Sequence, residues 1–111
     1  MKVLDTKTVI INLLEKDKKT YLSVRRLQKL LVYIYNELSK TDDLENYDMI
    51  FDVSFDSIER TVLYNNRIFE LDIDGDLIYL RDNNVDALAK QYKADPKIID
   101  IIDSFVNENV A

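Results

Sequence analysis

The chain has 111 residues, 47% apolar and 32% charged, with one glycine, one proline, no cysteine and no histidine. That length holds one core, so a single domain over 1–111 is expected, and the composition is that of a globular chain. The missing cysteine and histidine exclude disulfide frameworks, thiolate chemistry and the commonest general base and metal ligand. The net charge of −6 repels nucleic acid as a whole, but it is unevenly spread. Residues 1–40 carry nine Lys/Arg against four Asp/Glu, and residues 41–111 carry six against seventeen.

In chain order, Val9, Ile10, Leu13 and Leu14 have helical spacing, with Asp5 or Thr6 as the cap. The charged run at 15–19 ends that helix in a solvated connection. Ser23 is read as the next N-cap, with Leu22 and Leu27 as its hydrophobic staple. Leu27, Leu30, Leu31, Ile34 and Leu38 then form the clearest amphipathic stripe, which predicts the central core helix. Residues 40–45 read as a loop, and Tyr47 to Phe51 as a short strand or a helical turn. Asp56 to Glu59 fits a capping box for a short third helix, with Ile58, Val62 and Leu63 as its apolar positions.

At residues 68–80 the period changes to two, and Asp74-Gly75 is a preferred type I′ hairpin pair. A two-residue loop there sets Leu71 opposite Ile78 and Phe69 opposite Leu80, all on one face. Asn83 or Asn84 caps a fourth helix through Val85, Leu88, Ala89 and Tyr92. Asp95-Pro96 opens a fifth, with Ile98, Ile101, Ile102, Phe105 and Val106. The expected fold class is α+β, mainly helical, with about five helices and one β-hairpin after the third: a winged-helix-like outline.

Few motifs carry chemistry. The spacing of Asp72, Asp74 and Asp76 suggests a calcium loop, but Leu77 and Asn83 stand where an EF-hand requires glycine and glutamate. One glycine cannot build a phosphate-binding loop. Ser23, Ser54 and Ser57 lack a histidine partner and read as caps. Asp100 and Asp103 read as the solvent edge of the last helix. The expectation is a non-enzyme with no cofactor and no metal. A winged helix would present its third helix and hairpin to DNA, but Glu70, Asp72, Asp74 and Asp76 give that hairpin the wrong sign.

Residues 8–36 carry a first helix, a charged connection, Leu22-Ser23, the run Leu27-Gln28-Lys29-Leu30-Leu31 and following aromatics. This pattern resembles the Panacea antitoxin domain, and the stretches 55–64 and 96–109 extend the likeness. The resemblance implies a non-catalytic protein that neutralises a protein partner by direct contact, as an antitoxin or a phage-encoded inhibitor of a host defence or toxin protein.

On this reading the partner has a basic surface, met by Asp42, Asp43, Glu45, Tyr47, Asp48, Asp72, Asp74, Asp76 and Tyr79. Arg25, Arg26 and Lys29 are candidates for a nucleic-acid or further partner contact. Two alternatives stand beside it. One is an acidic nucleic-acid mimic of the anti-CRISPR or anti-restriction type, and the other a winged-helix-like DNA-binding regulator. With no signal peptide and no apolar run long enough to span a bilayer, a cytoplasmic protein without membrane contact is expected.

Overall fold

Asp5, in extended conformation, accepts the Thr8 N–H on its carboxylate at 2.8 Å and so starts the first helix. The computed structural model describes residues 2–72, 74 and 76–108. Strand β1 (Lys2–Asp5) leads into α1 (Thr6–Asp17), followed by β2 (Tyr21–Ser23) and α2 (Val24–Lys40). A 3-10 turn (Leu44–Asn46) precedes β3 (Tyr47–Ile50) and α3 (Phe55–Tyr64). Then come β4 (Phe69–Asp72), β5 (Leu77–Leu80), α4 (Val85–Gln91) and α5 (Pro96–Glu108). The fold is a compact α+β arrangement of five α-helices and two small sheets.

The central helix is α1, not α2. Six consecutive residues, Val9 to Leu14, are buried, and α1 packs on α3, α4 and α5. A helix apolar on every side loses its amphipathic signature because it has no solvent face. Its one polar member in that run, Asn12, donates from Nδ2 to Thr8 O at 2.7 Å and to Tyr92 O at 2.9 Å. The second bond satisfies a carbonyl at the end of α4 and fastens that short helix to the core. By contrast α2 buries Leu27, Leu30, Leu31, Ile34 and Leu38 while Arg25, Lys29, Val32, Tyr35 and Asn36 face solvent.

Two sheets flank the helices. Strands β1 and β3 pair in parallel, with Leu4 beside Met49. Neither β1 nor β2 has an alternating apolar pattern long enough to announce a strand. Strand β2 joins the hairpin in a three-stranded sheet of order β2-β5-β4. In the hairpin Leu71 lies opposite Ile78 and Phe69 opposite Leu80. The type of turn at Asp74-Gly75 lies outside the described residues. With a single glycine in the chain, left-handed backbone falls to Lys18, Asp42 and Asp76. Lys18 ends α1 this way, its N–H reaching Glu15 O.

Helix α3 starts two residues before the expected capping box. Ser54 is the N-cap, accepting from Ser57 N at 3.2 Å, and its own N–H is held by Asp52 Oδ1 at 2.9 Å. Asn84 caps α4, and Asp95 Oδ1 accepts the Ile98 N–H at 3.4 Å to open α5. No helix among the described residues is long and apolar enough to cross a membrane.

Leu31→Ala should cost about 3 kcal/mol by leaving a cavity. Asn12→Ala should cost about 2 kcal/mol by stranding the Tyr92 carbonyl. Urea unfolding midpoints followed by circular dichroism test both.

Candidate functional site

The acidic side chains singled out by sequence do not come together. The Val24 N–H donates to Asp76 O at 2.8 Å, tying the hairpin tip to the N-terminus of α2. The Asp43 N–H donates to Leu38 O at 2.9 Å, tying residues 42–48 to the opposite end. Seventeen residues at about 1.5 Å each make α2 about 25 Å long, and that length separates the two groups. Asp72, Asp74 and Asp76 are exposed at one end, and Asp42, Glu45 and Asp48 at the other.

Two of the expected contact residues are used inside the fold. Tyr47 is only 8% exposed, and its hydroxyl donates to Asp95 Oδ2 at 2.6 Å. Lys2 Nζ reaches the same oxygen at 2.8 Å. Burial, then the Asp95 hydrogen bond and charge, raise the Tyr47 phenol well above its ordinary value. Burial pushes Asp95 up, but hydrogen bonds from Lys2, Tyr47 and the Ile98 N–H, with the Lys2 charge, outweigh it and leave Asp95 lowered. Asp43 is lowered by hydrogen bonds from Thr41 and Lys97, the latter 3.0 Å away. These contacts join β1, β3 and the start of α5. On α2 the Tyr33 hydroxyl donates to Glu108 Oε2 at 3.2 Å, and burial with the Glu108 contact pushes Tyr33 up to about 12.

The basic trio divides as well. Arg26 donates from Nε and Nη2 to the Asp17 carboxylate at 2.8 and 2.7 Å, and its guanidinium lies over the Phe105 ring. A planar two-bond pair of this kind, mostly shielded from water, braces α1 against α2. Arg25 and Lys29 are exposed on α2, beside Val32 and Val53, where the Gln28 amide holds Val53 O at 2.7 Å.

Exposed apolar side chains lie at several places, Val3 and Ile50 on β1 and β3 and Val32 and Tyr35 on α2 among them, and two adjacent ones lie on α3. Leu63 is 60% exposed and Tyr64 87% exposed. Leu63, expected in the core, sits five positions after Ile58. At about 100° per residue that is roughly 140° from Ile58 and about 100° from Val62, a signal available from the helical wheel. Between α3 and β4 lies a 380 Å³ depression lined by Val62, Leu63, Phe69 and Leu71, with Glu59, Glu70 and Arg81 among its polar walls. Arg81 reaches Glu70 at 3.7 Å and also holds Phe69 O at 3.2 Å. Tyr79, another expected contact, is 37% exposed on the outer face of the hairpin.

No three His, Cys, Asp or Glu side chains among the described residues are grouped to hold a metal ion. In comparisons with known proteins, the chain matches no family model, no curated protein and no solved structure.

Asp95 and Asp43 make the stability pH-dependent in a defined direction. A carboxyl whose folded value lies below its unfolded one, near 3.8, stabilises the fold above that pH. The contribution disappears as pH falls through the lower folded value. Thermal midpoints of the wild type should therefore drop as pH falls below about 4, with a shallower drop in Asp95→Asn.

Proposed function

We propose that this chain is a non-enzymatic binding protein that docks a protein partner through the surface formed by α3 and the β4–β5 hairpin. The observation that carries this reading is the pair Leu63 and Tyr64, exposed side by side on α3 next to the α3–β4 depression. A tyrosine held out on a short helix, with Arg60, Arg67 and Arg81 nearby, has the residue types enriched at interface centres, and Leu63 adds apolar area beside it.

On this proposal the fold is a winged helix turned to protein recognition. The chain order α1-β2-α2-α3-β4-β5, interrupted between α2 and α3 by the 3-10 turn and β3, and the sheet order β2-β5-β4 support that outline. The third helix then takes the recognition position and the hairpin becomes the wing. Glu70, Asp72, Asp74 and Asp76 on the wing, with Asp56 and Glu59 on α3, outnumber the three arginines. That balance disfavours a duplex and favours a partner whose surface is apolar at its centre and basic at its margin.

The resemblance of residues 8–36 to the Panacea domain supports neutralisation of the partner, antitoxin-like or phage-encoded, in the cytoplasm. Leu27, Leu30 and Leu31 of that stretch are buried, so the likeness bears on packing and the binding surface is argued from α3. A nucleic-acid mimic is the weaker reading, because about 25 Å of helix bearing Arg25 and Lys29 separates the two acidic groups.

The test is capture from native host lysate by tagged wild type and by the double variant Leu63→Glu, Tyr64→Ala, with both folded by circular dichroism. A stoichiometric protein retained by wild type and weakened at least tenfold by the variant is the expected result. Equal capture by both, or capture of nucleic acid alone, overturns the α3 surface. Replacing Asp72, Asp74 and Asp76 by asparagine should reduce retention and much of its sensitivity to salt.

A further inference from the structure

The 380 Å³ depression between α3 and β4 has a chemistry of its own. Glu59, Val62 and Leu63 stand at i, i+3 and i+4, so one face of α3 supplies one wall. Phe69, Glu70 and Leu71 of β4 supply the other, and Arg81, just past the end of β5, completes the lining. Val62 and Phe69 are buried, Leu71 is half-buried and Leu63 is open to water.

The charged groups here are unequally engaged. Arg81 is held against the hairpin: its backbone N–H donates to Ile68 O at 2.8 Å, and its Nε to Asn66 O and, at 3.2 Å, to Phe69 O. Its Nη1 meets Glu70 Oε2 only at 3.7 Å. Glu59 is half-buried, yet it makes no ion pair with a described residue. Two carboxylates against one guanidinium leave the lining with a negative surplus. Of the charged residues next in sequence around it, Arg60 and Arg67 are matched in number by Asp56 and Asp72, so that surplus stands. A partly shielded carboxylate without a cation of its own gains more from an incoming one than a fully solvated carboxylate does.

We propose that this depression receives the side chain of an arginine from the partner, its stem along Val62, Leu63 and Leu71 and its guanidinium on Glu59. The methylene stem of arginine covers apolar surface while its head keeps a permanent charge. Its planar fork gives a carboxylate two parallel hydrogen bonds. Glu70, shared with Arg81, adds negative potential at the rim. The inference rests on the α3 docking surface proposed above, with which the depression is continuous through Leu63, and it names the group that surface receives.

The experiment is titration of the ¹⁵N-labelled full chain with a blocked pentapeptide carrying one arginine between two leucines, read by amide shifts. The same peptide with citrulline, an uncharged isostere of arginine, is the control. Saturable shifts at Glu59, Leu63 and Leu71 with the arginine peptide, about tenfold weaker with citrulline, are expected. Glu59→Gln should weaken the arginine peptide about tenfold and leave the citrulline peptide unchanged, with a smaller effect from Glu70→Gln. Equal binding of the two peptides overturns the proposal. So does binding indifferent to both variants, or none at millimolar concentration. The capture experiment with Leu63→Glu, Tyr64→Ala separates the two readings. Capture that depends on those side chains while no peptide binds removes the arginine and leaves the docking surface, whereas failure of both removes the surface itself.

Discussion

Because the middle of α1 has no solvent face, α3, α4 and α5 are arranged around it. Val9 to Leu14 are buried on all sides, and α3, α4 and α5 each cover a part of that surface. One polar side chain interrupts the apolar cylinder. Asn12 enters with both of its amide hydrogens committed, one to its own helix and one to the carbonyl that ends α4. An unpaired amide there would cost more than its apolar neighbours could recover locally. The seven-residue α4 is too short to hold itself as a helix and depends on that anchorage.

With α1 in the centre, α2 is left as a strut along one side. Its buried stripe packs on α5, while its two ends carry the rest of the chain's polar architecture. At the N-terminal end sit Ser23, the Asp76 carbonyl and the Arg26–Asp17 pair. At the other end residues 42–48 turn back to β3 and meet Lys97 and Asp95 through Asp43 and Tyr47. The long-range charge asymmetry of the sequence thereby becomes a set of local pairs. Surface pairs of this kind contribute little each. Their effect is geometric, since they bring strands separated by many residues into register with helix ends.

At two places on the surface, aromatic or apolar groups are left in water on rigid elements. Leu63 and Tyr64 project from α3, and Tyr21 with Tyr79 stands on a sheet whose other face is packed. They occupy different parts of the molecule and differ in charge. Around α3 and the hairpin, carboxylates dominate, whereas the end of α1 gathers lysines.

Local signals determined a good deal by themselves. The stripe of α2, the Ser23 and Asp95 caps, and the absence of thiol and imidazole chemistry all follow from neighbouring residues, whose interactions are the same in any fold. The alternation of Phe69, Leu71, Ile78 and Leu80 likewise follows from the two-residue period of a strand. Tertiary structure alone decided the rest. Strands β1 and β2 exist because of partners more than forty residues away, so their short segments carry no period of their own. Tyr47 and Arg26 look available in the sequence, yet Asp95 and Asp17 claim them. The acids at 42–48 and 72–76 are one class by composition, but a helix about 25 Å long holds them apart. Chemical type is a property of each residue, whereas proximity is set only when the whole chain packs, and a binding surface depends on proximity.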